Sequence, residues 1–547
     1  MGDMPRLDHI RPRSLRSAAA LGLLAALAVS CTAADAETTP AGRAAVATSP
    51  LPTVPPAQPP RQLTRAEVEH AVGQLDSIVE DAMRRTGVPG VAVGVVYDDK
   101  VVYLKGFGLR TAGTKDRVGA DTVFQLASVS KPIASTVVAA AVGDKTVGWD
   151  DPVLEHSSGF ALKDPWVTRH VTYADLFSHR SGLPDHAGDI LEDLGYDRAY
   201  ILDHLRHEPL APFRAHYAYT NFGLTEAAVA TALAAGTSWE KLSADKLYRP
   251  LGMDSTSSVF ADYEKADNKA TLHVKTGGTW QAEHVRDPDA QSPAGGVSST
   301  ARDMTKWLRL QLANGTFEGR KVVDAAALEE THVPHMVSDP PHSPAGRTGF
   351  YGLGWNVSYD DQGRLKLGHS GGFALGAATN VALLPSEKLG IVVLTNGEPI
   401  GVPEAISTTF LDTAQTGGPT VDWLKFLGPL FQQTLQAERS KVDYSKPPAS
   451  PAPAKANSAY TGTYANKYYG PLTVSTQGDK LTMQLGPKKQ RFVLRHYDGE
   501  TFSYSTTGEM AVGLSGVTFT VGSGGHADKV RVENLDTSGL GTFTRNG

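Results

Sequence analysis

Residues 128–142 read SVSKPIASTVVAAAV. Ser128 and Lys131 stand three positions apart, and positions i and i+3 share one face of a helix, so the lysine amine can reach the serine hydroxyl. A serine hydroxyl is a poor nucleophile until a neighbour takes its proton. A lysine does this only when uncharged, which burial or adjacent positive charge brings about. The flanking sequence supplies the burial: residues 133–142 are apolar on nearly every face, as in a helix at the centre of a fold. Pro132 is comfortable only in a first helical turn, so the helix is predicted to start close to Ser128. That start leaves the Ser128 N–H at the positive end of the helix dipole, where a developing oxyanion is stabilised. By itself the spacing also describes a capping serine beside a snorkelling lysine.

Two elements further along change the balance. Tyr219-Thr220-Asn221 follows Ser128 by 91 residues, and His369-Ser370-Gly371-Gly372 follows Tyr219 by 150, between strand-like runs. The order S-x-x-K, Y-x-N, then a basic residue followed by Ser-Gly resembles the penicillin-recognising serine hydrolases: class C β-lactamases, DD-peptidases and β-lactamase-like esterases. LFSHRSGL (176–183), PLGMDST (250–256), AGGV (294–297) and YGLGW (351–355) resemble the same family, over about residues 63–440.

The resemblance implies an α/β (α+β) serine β-lactamase-like fold, an antiparallel sheet flanked by helices with a helical insert. It implies an acyl-enzyme on Ser128, with Lys131 and Tyr219 sharing the general base and acid work. Asn221 would hydrogen-bond the substrate or Lys131, His369, Ser370 and Gly371 would contact substrate, and the N–H groups of Ser128 and Gly372 would form the oxyanion hole. No metal or other cofactor is implied. Lactamases usually carry Lys where this chain has His369. Histidine is mostly neutral near neutral pH, so weaker recognition of a substrate carboxylate, and slow turnover of ordinary penicillins, is expected.

Several patterns compete with this reading. Lys275-Thr276-Gly277 matches the lactamase third motif literally, but it lies only 56 residues after Tyr219 and reads as a hairpin turn. Gly368–Gly372 fits G-x-S-x-G, the nucleophile elbow of α/β-hydrolases, which would make Ser370 the nucleophile of an esterase. That elbow needs a helix after it, and here a strand hairpin follows. His204 and His207, beside Asp203, read as a solvated helix face rather than metal ligands. Asp185, Asp189, Glu192 and Asp193 read as a polar helix face. No E-x-x-L-N carboxylate stands where a class A lactamase needs one.

The whole chain has 547 residues, 41% hydrophobic and 20% charged, with formal charge −6. This is globular, multi-domain material without the basic footprint of a nucleic-acid binder. Its single cysteine excludes a disulfide framework and a Cys-based zinc site. Residues 1–36 read as an export signal: Arg6, Arg11, Arg13 and Arg16 precede an apolar run at 18–30 that is too short to span a bilayer. Cys31 directly follows Ala28-Val29-Ser30, a lipobox-like site for a lipid anchor; cleavage after Ala34-Asp35-Ala36 is the other route. Periplasmic or extracellular location follows from either. Residues 37–62 form a Pro/Ala-rich linker, 63–440 the hydrolase domain, 441–456 a second linker, and 457–547 an all-β domain resembling a lipocalin, expected to cap the site or to be an appendage. The expected partner is a small-molecule or short-peptide substrate; oligomeric state stays open. The reading is acyl transfer to water, from a D-amino-acid peptide, short-chain ester or β-lactam. A penicillin-binding sensor that acylates without turnover shares every one of these residues.

Overall fold

The computed structural model describes residues 61–546. The expected export signal with Cys31, and residues 37–60 of the expected linker, lie outside the described residues. Thr64 accepts a hydrogen bond from the Glu67 N–H while the Glu67 carboxylate accepts one from the Thr64 N–H, so a reciprocal cap opens α1 (Arg65–Thr86). Val68, Ala71, Leu75, Val79 and Ala82 form its buried stripe, with Val72 half-buried beside it.

That stripe packs on one face of an eight-stranded antiparallel sheet. Its strands are β1 (Gly90–Tyr97), β2 (Lys100–Gly108), β3 (Met336–Asp339), β4 (Gly349–Tyr351), β5 (Asn356–Tyr359), β6 (Leu365–Phe373), β7 (Ala377–Leu384) and β8 (Leu389–Thr395), in the order β2-β1-β8-β7-β6-β5-β4-β3. Alternate residues of β1 serve two cores. Val91, Val93, Val95 and Tyr97 meet α1, and Ala92 and Val96 face the helical insert. The β1–β2 hairpin is closed by Asp98 and Asp99, both with positive φ, as a two-residue connection between right-twisted strands requires.

The insert contains α2 (Ser130–Gly143), α3 (Asp189–Asp193), α4 (Asn221–Ala234) and α5 (Ala301–Leu312). Thr300 caps α5 by accepting the Asp303 N–H, and Met304, Trp307 and Leu308 are fully buried. After the sheet, α6 (Val402–Thr416) lies beside α1 and α7 (Trp423–Ala437) packs on α6 through Trp423 and Leu427. Among the described residues no helix is long and apolar enough to cross a membrane.

The C-terminal strands are β9 (Gly462–Ala465), β10 (Leu472–Gln477), β11 (Lys480–Leu485), β12 (Gln490–Val493), β13 (Arg495–Asp498), β14 (Thr501–Ser505), β15 (Leu514–Val521), β16 (Ala527–Val532) and β17 (Thr542–Arg545). They pair in the order β12-β11-β10-β9-β17-β16-β15-β14-β13. First and last strands are neighbours, and the two edge strands are consecutive in sequence, so the sheet curls into a nearly closed barrel around Tyr464, Met483, Phe519 and Phe543.

This barrel is docked on the insert. The Gly188 N–H donates to Tyr468 Oη (3.0 Å), Tyr196 Oη donates to the Tyr469 carbonyl (2.8 Å), and Asp193 accepts the N–H groups of Glu509 (3.0 Å) and Met510 (2.7 Å).

Candidate active site

One 3₁₀ turn, Ala127–Val129, precedes α2, so Ser128 stands just ahead of the helix and Pro132 falls in its first turn, close to the predicted start. Ser128 is partly exposed and Lys131 is fully buried. Lys131 Nζ lies 3.2 Å from Ser128 Oγ, 2.6 Å from Asn221 Oδ1 and 3.0 Å from the Ala294 carbonyl. An uncharged amine has two N–H donors and one lone pair. The two acceptors use the donors, and the lone pair is left facing the serine hydroxyl. Burial drives the Lys131 pKa down from 10.5 to about 7, with the Asp189 charge opposing.

The Tyr219 ring centroid is 4.4 Å from Lys131 Nζ. Burial raises its phenol pKa, and contact with the Ser128 side chain pulls the other way. Thr220 ends the approach to α4, which places Asn221 in its first turn. Asn221 then spans two groups: its Oδ1 accepts from Lys131 and its Nδ2 donates to Asp189 Oδ2 at 2.7 Å. His186 Nδ1 meets the same Asp189 oxygen at 2.7 Å. Burial alone would lower the His186 pKa, but Asp185 and Asp189 outweigh it and lift it to about 9.

The third motif lies within β6 rather than between strands; its glycines give no side-chain alternation to read. His369 Nε2 is 2.9 Å from Tyr351 Oη and Nδ1 is 2.6 Å from the Ser370 carbonyl. Burial, reinforced by Lys131, lowers its pKa to about 3, so the ring is uncharged. Ser370 Oγ accepts from Asn380 Nδ2 at 3.1 Å. It sits in mid-strand, followed by a hairpin to β7, and not on a strand-to-helix turn. A Cβ on Gly371 would come within 2.2 Å of the Leu126 carbonyl and 2.3 Å of Thr379 Oγ1. The glycine lets β6 lie against the turn that carries Ser128. Gly371, expected as a substrate contact, packs against the turn behind Ser128, while Gly372 lines the pocket.

Ser128, Tyr219, Asn221, His369, Ser370 and Gly372 line one pocket. The acidic residues of 185–193 are the main correction. Asp189 and Glu192 are buried and line this pocket, because α3 is folded under the barrel instead of facing water. The same pocket includes Arg286, and Glu509 and Met510 from the barrel. Sequence reasoning missed these three, and no local pattern marks them. The barrel is thus a wall of the site as well as an appendage. Among the competing patterns, Lys275 lies in a small exposed hairpin, and the half-buried His204 stacks on Tyr200 and meets its carbonyl.

The Beta-lactamase family model matches residues 75–413, and a model described as a domain of unknown function (DUF3471) matches residues 446–541. The chain is 27% identical to unguisins hydrolase ungD' of Aspergillus campestris (strain IBT 28561), over 73% of this chain and 76% of that protein. It is 30% identical to penicillin-binding protein 4 of Amycolatopsis lactamdurans, over 58% of this chain and 83% of the relative. The structure of the octameric penicillin-binding protein homologue from Pyrococcus abyssi superposes with a TM-score of 0.55 at 20% identity, covering 84% of this chain and 98% of the other.

Proposed function

The chain belongs to the β-lactamase family and is a serine hydrolase, and we propose that it is exported and works through an acyl-enzyme on Ser128. The observation that carries this reading is the buried Lys131 amine, 3.2 Å from Ser128 Oγ with its other two directions filled. Neutral Lys131 takes the hydroxyl proton as Ser128 attacks the acyl carbon. The Ser128 and Gly372 N–H groups hold the oxyanion, and Tyr219 with Lys131 returns the proton to the leaving group. A water then attacks the ester by the reverse path and frees the acid. Short peptides of D-amino acids are the preferred substrates, ahead of short-chain esters and β-lactams. Relatives named as a hydrolase and a penicillin-binding protein support this range. The basic, apolar and small-residue order of residues 1–36 supports export.

Labelling with a fluorophosphonate and with a fluorescent penicillin tests the reading. Label should vanish in Ser128→Ala and persist in Ser370→Ala. Loss only in Ser370→Ala would move the nucleophile to β6. A time course separates the hydrolase, which sheds its label, from a sensor, which keeps it.

A further inference from the structure

We propose that the pocket beside Ser128 holds an ammonium subsite, formed by Asp189 and Glu192 of α3 with Glu509 of the barrel, that selects acyl groups carrying a free amine. This rests on the hydrolase reading and narrows its substrate to amides and esters of amino acids or peptides with an unblocked α-amine.

Two buried oxygens point to it. Asp189 is 4% exposed and Glu192 9%, and each uses only one of its carboxylate oxygens. Asp189 Oδ2 takes His186 and Asn221, and Glu192 Oε2 takes Arg286 and Gln291. Asp189 Oδ1 and Glu192 Oε1 have no partner. A buried carboxylate oxygen without a donor is costly, and donors supplied by a ligand would satisfy both.

Charge decides which donors. Asp189, Glu192, Glu438 and Glu509 line the pocket against Arg286 and His186. Arg286 is paired with carboxylates: it bonds Glu192, and its Nε, which has no hydrogen-bond partner, lies 3.9 Å from Glu509. His186 Nδ1 is held by Asp189 while its Nε2 has no partner, and His369, which also lines the pocket, is uncharged. The balance favours a cation over an anion. Burial raises Glu438 and Glu509 to about 7 each, so an arriving ammonium would draw both back to their charged forms. Three successive hydrogen-bond contacts, through Lys131 and Asn221, link Ser128 to Asp189. The acidic end and the nucleophile are parts of one pocket, as the amine and carbonyl are parts of one amino acid.

Calorimetric titration of the full chain carrying Ser128→Ala tests this with D- and L-alaninamide against their N-acetyl forms. At least one free amine should bind about tenfold or more tighter than its acetylated form, and Glu192→Gln and Glu509→Gln should each erase that advantage. Equal or tighter binding of the acetylated forms, or an advantage untouched by both variants, would overturn the subsite. Fluorophosphonate labelling of the wild type is a separate readout. Label without amine preference keeps the hydrolase and removes the subsite; amine preference without label does the reverse.

Discussion

Lys131 and Asp189 are joined through one amide: Asn221 accepts from the lysine and donates to the carboxylate. The amide keeps the negative charge one group away from the amine. Burial can then hold Lys131 near neutrality while Asp189 still anchors the network.

With Lys131 as the proposed base, active only when uncharged, kcat/KM should rise with pH through about 7 and fall away on the acid side. Asn221→Asp sets a carboxylate against Nζ and favours the charged amine. Its acid limb should move upward by about one pH unit or more, measured on a simple p-nitrophenyl ester. An unmoved limb would remove Lys131 from the role.

Gly371→Ala should damage both stability and catalysis, because its methyl meets the Leu126 carbonyl and crowds the Ser128 N–H. Overpacking of this kind costs about 1–3 kcal/mol. Gly372→Ala meets only Pro399, at 3.3 Å, and should be milder in a thermal melt.

Benzylpenicillin should be turned over slowly at neutral pH, since the uncharged His369 offers its carboxylate no cation. An ester without a carboxylate should be the better substrate by kcat/KM. Efficient penicillin hydrolysis by the wild type would contradict this.

Glu387 is fully buried and accepts the N–H groups of Gln62 (3.1 Å) and Leu63 (3.0 Å) and Arg364 Nη1 (2.8 Å). Glu387→Ala leaves Arg364 buried with less compensation and releases the start of α1. A loss of about 3–5 kcal/mol is expected, read as a lowered urea midpoint.

Glu226 lies inside α4 with one oxygen unpartnered, and burial raises its pKa from 4.5 to about 7. The folded chain keeps a proton that the unfolded chain releases. The stability this gives is complete below about 4.5 and is lost as pH rises to about 7. Glu226→Gln should therefore raise Tm in alkaline buffer and change it little in acid. An equal shift at both would argue for a packing effect.

Much of this was legible in the chain. Ser128 and Lys131 are neighbours within one turn of chain, and Tyr219 with Asn221 forms a second short pattern; the order of these motifs resembles the family, and that resemblance carried them. The capping box at Thr64 and the strand hairpins were readable for the same reason. Asp189 and Glu192 were not, because a short acidic helix has the same sequence whether water or a barrel covers it. Arg286 and Glu509 reach the pocket only through tertiary docking, which leaves no periodic trace. Gly371 was read as a substrate contact, and the room that its missing side chain leaves is taken by the Leu126 carbonyl.

The grip of Tyr468 and Tyr469 on the insert makes ligand occupancy and barrel seating reciprocal. Whatever fills the pocket and touches Met510 tightens the barrel's hold, and whatever loosens that hold weakens the ligand by the same factor. Evolution can therefore retune what this enzyme accepts at the tip of one β-hairpin, leaving the turn that carries Ser128 untouched.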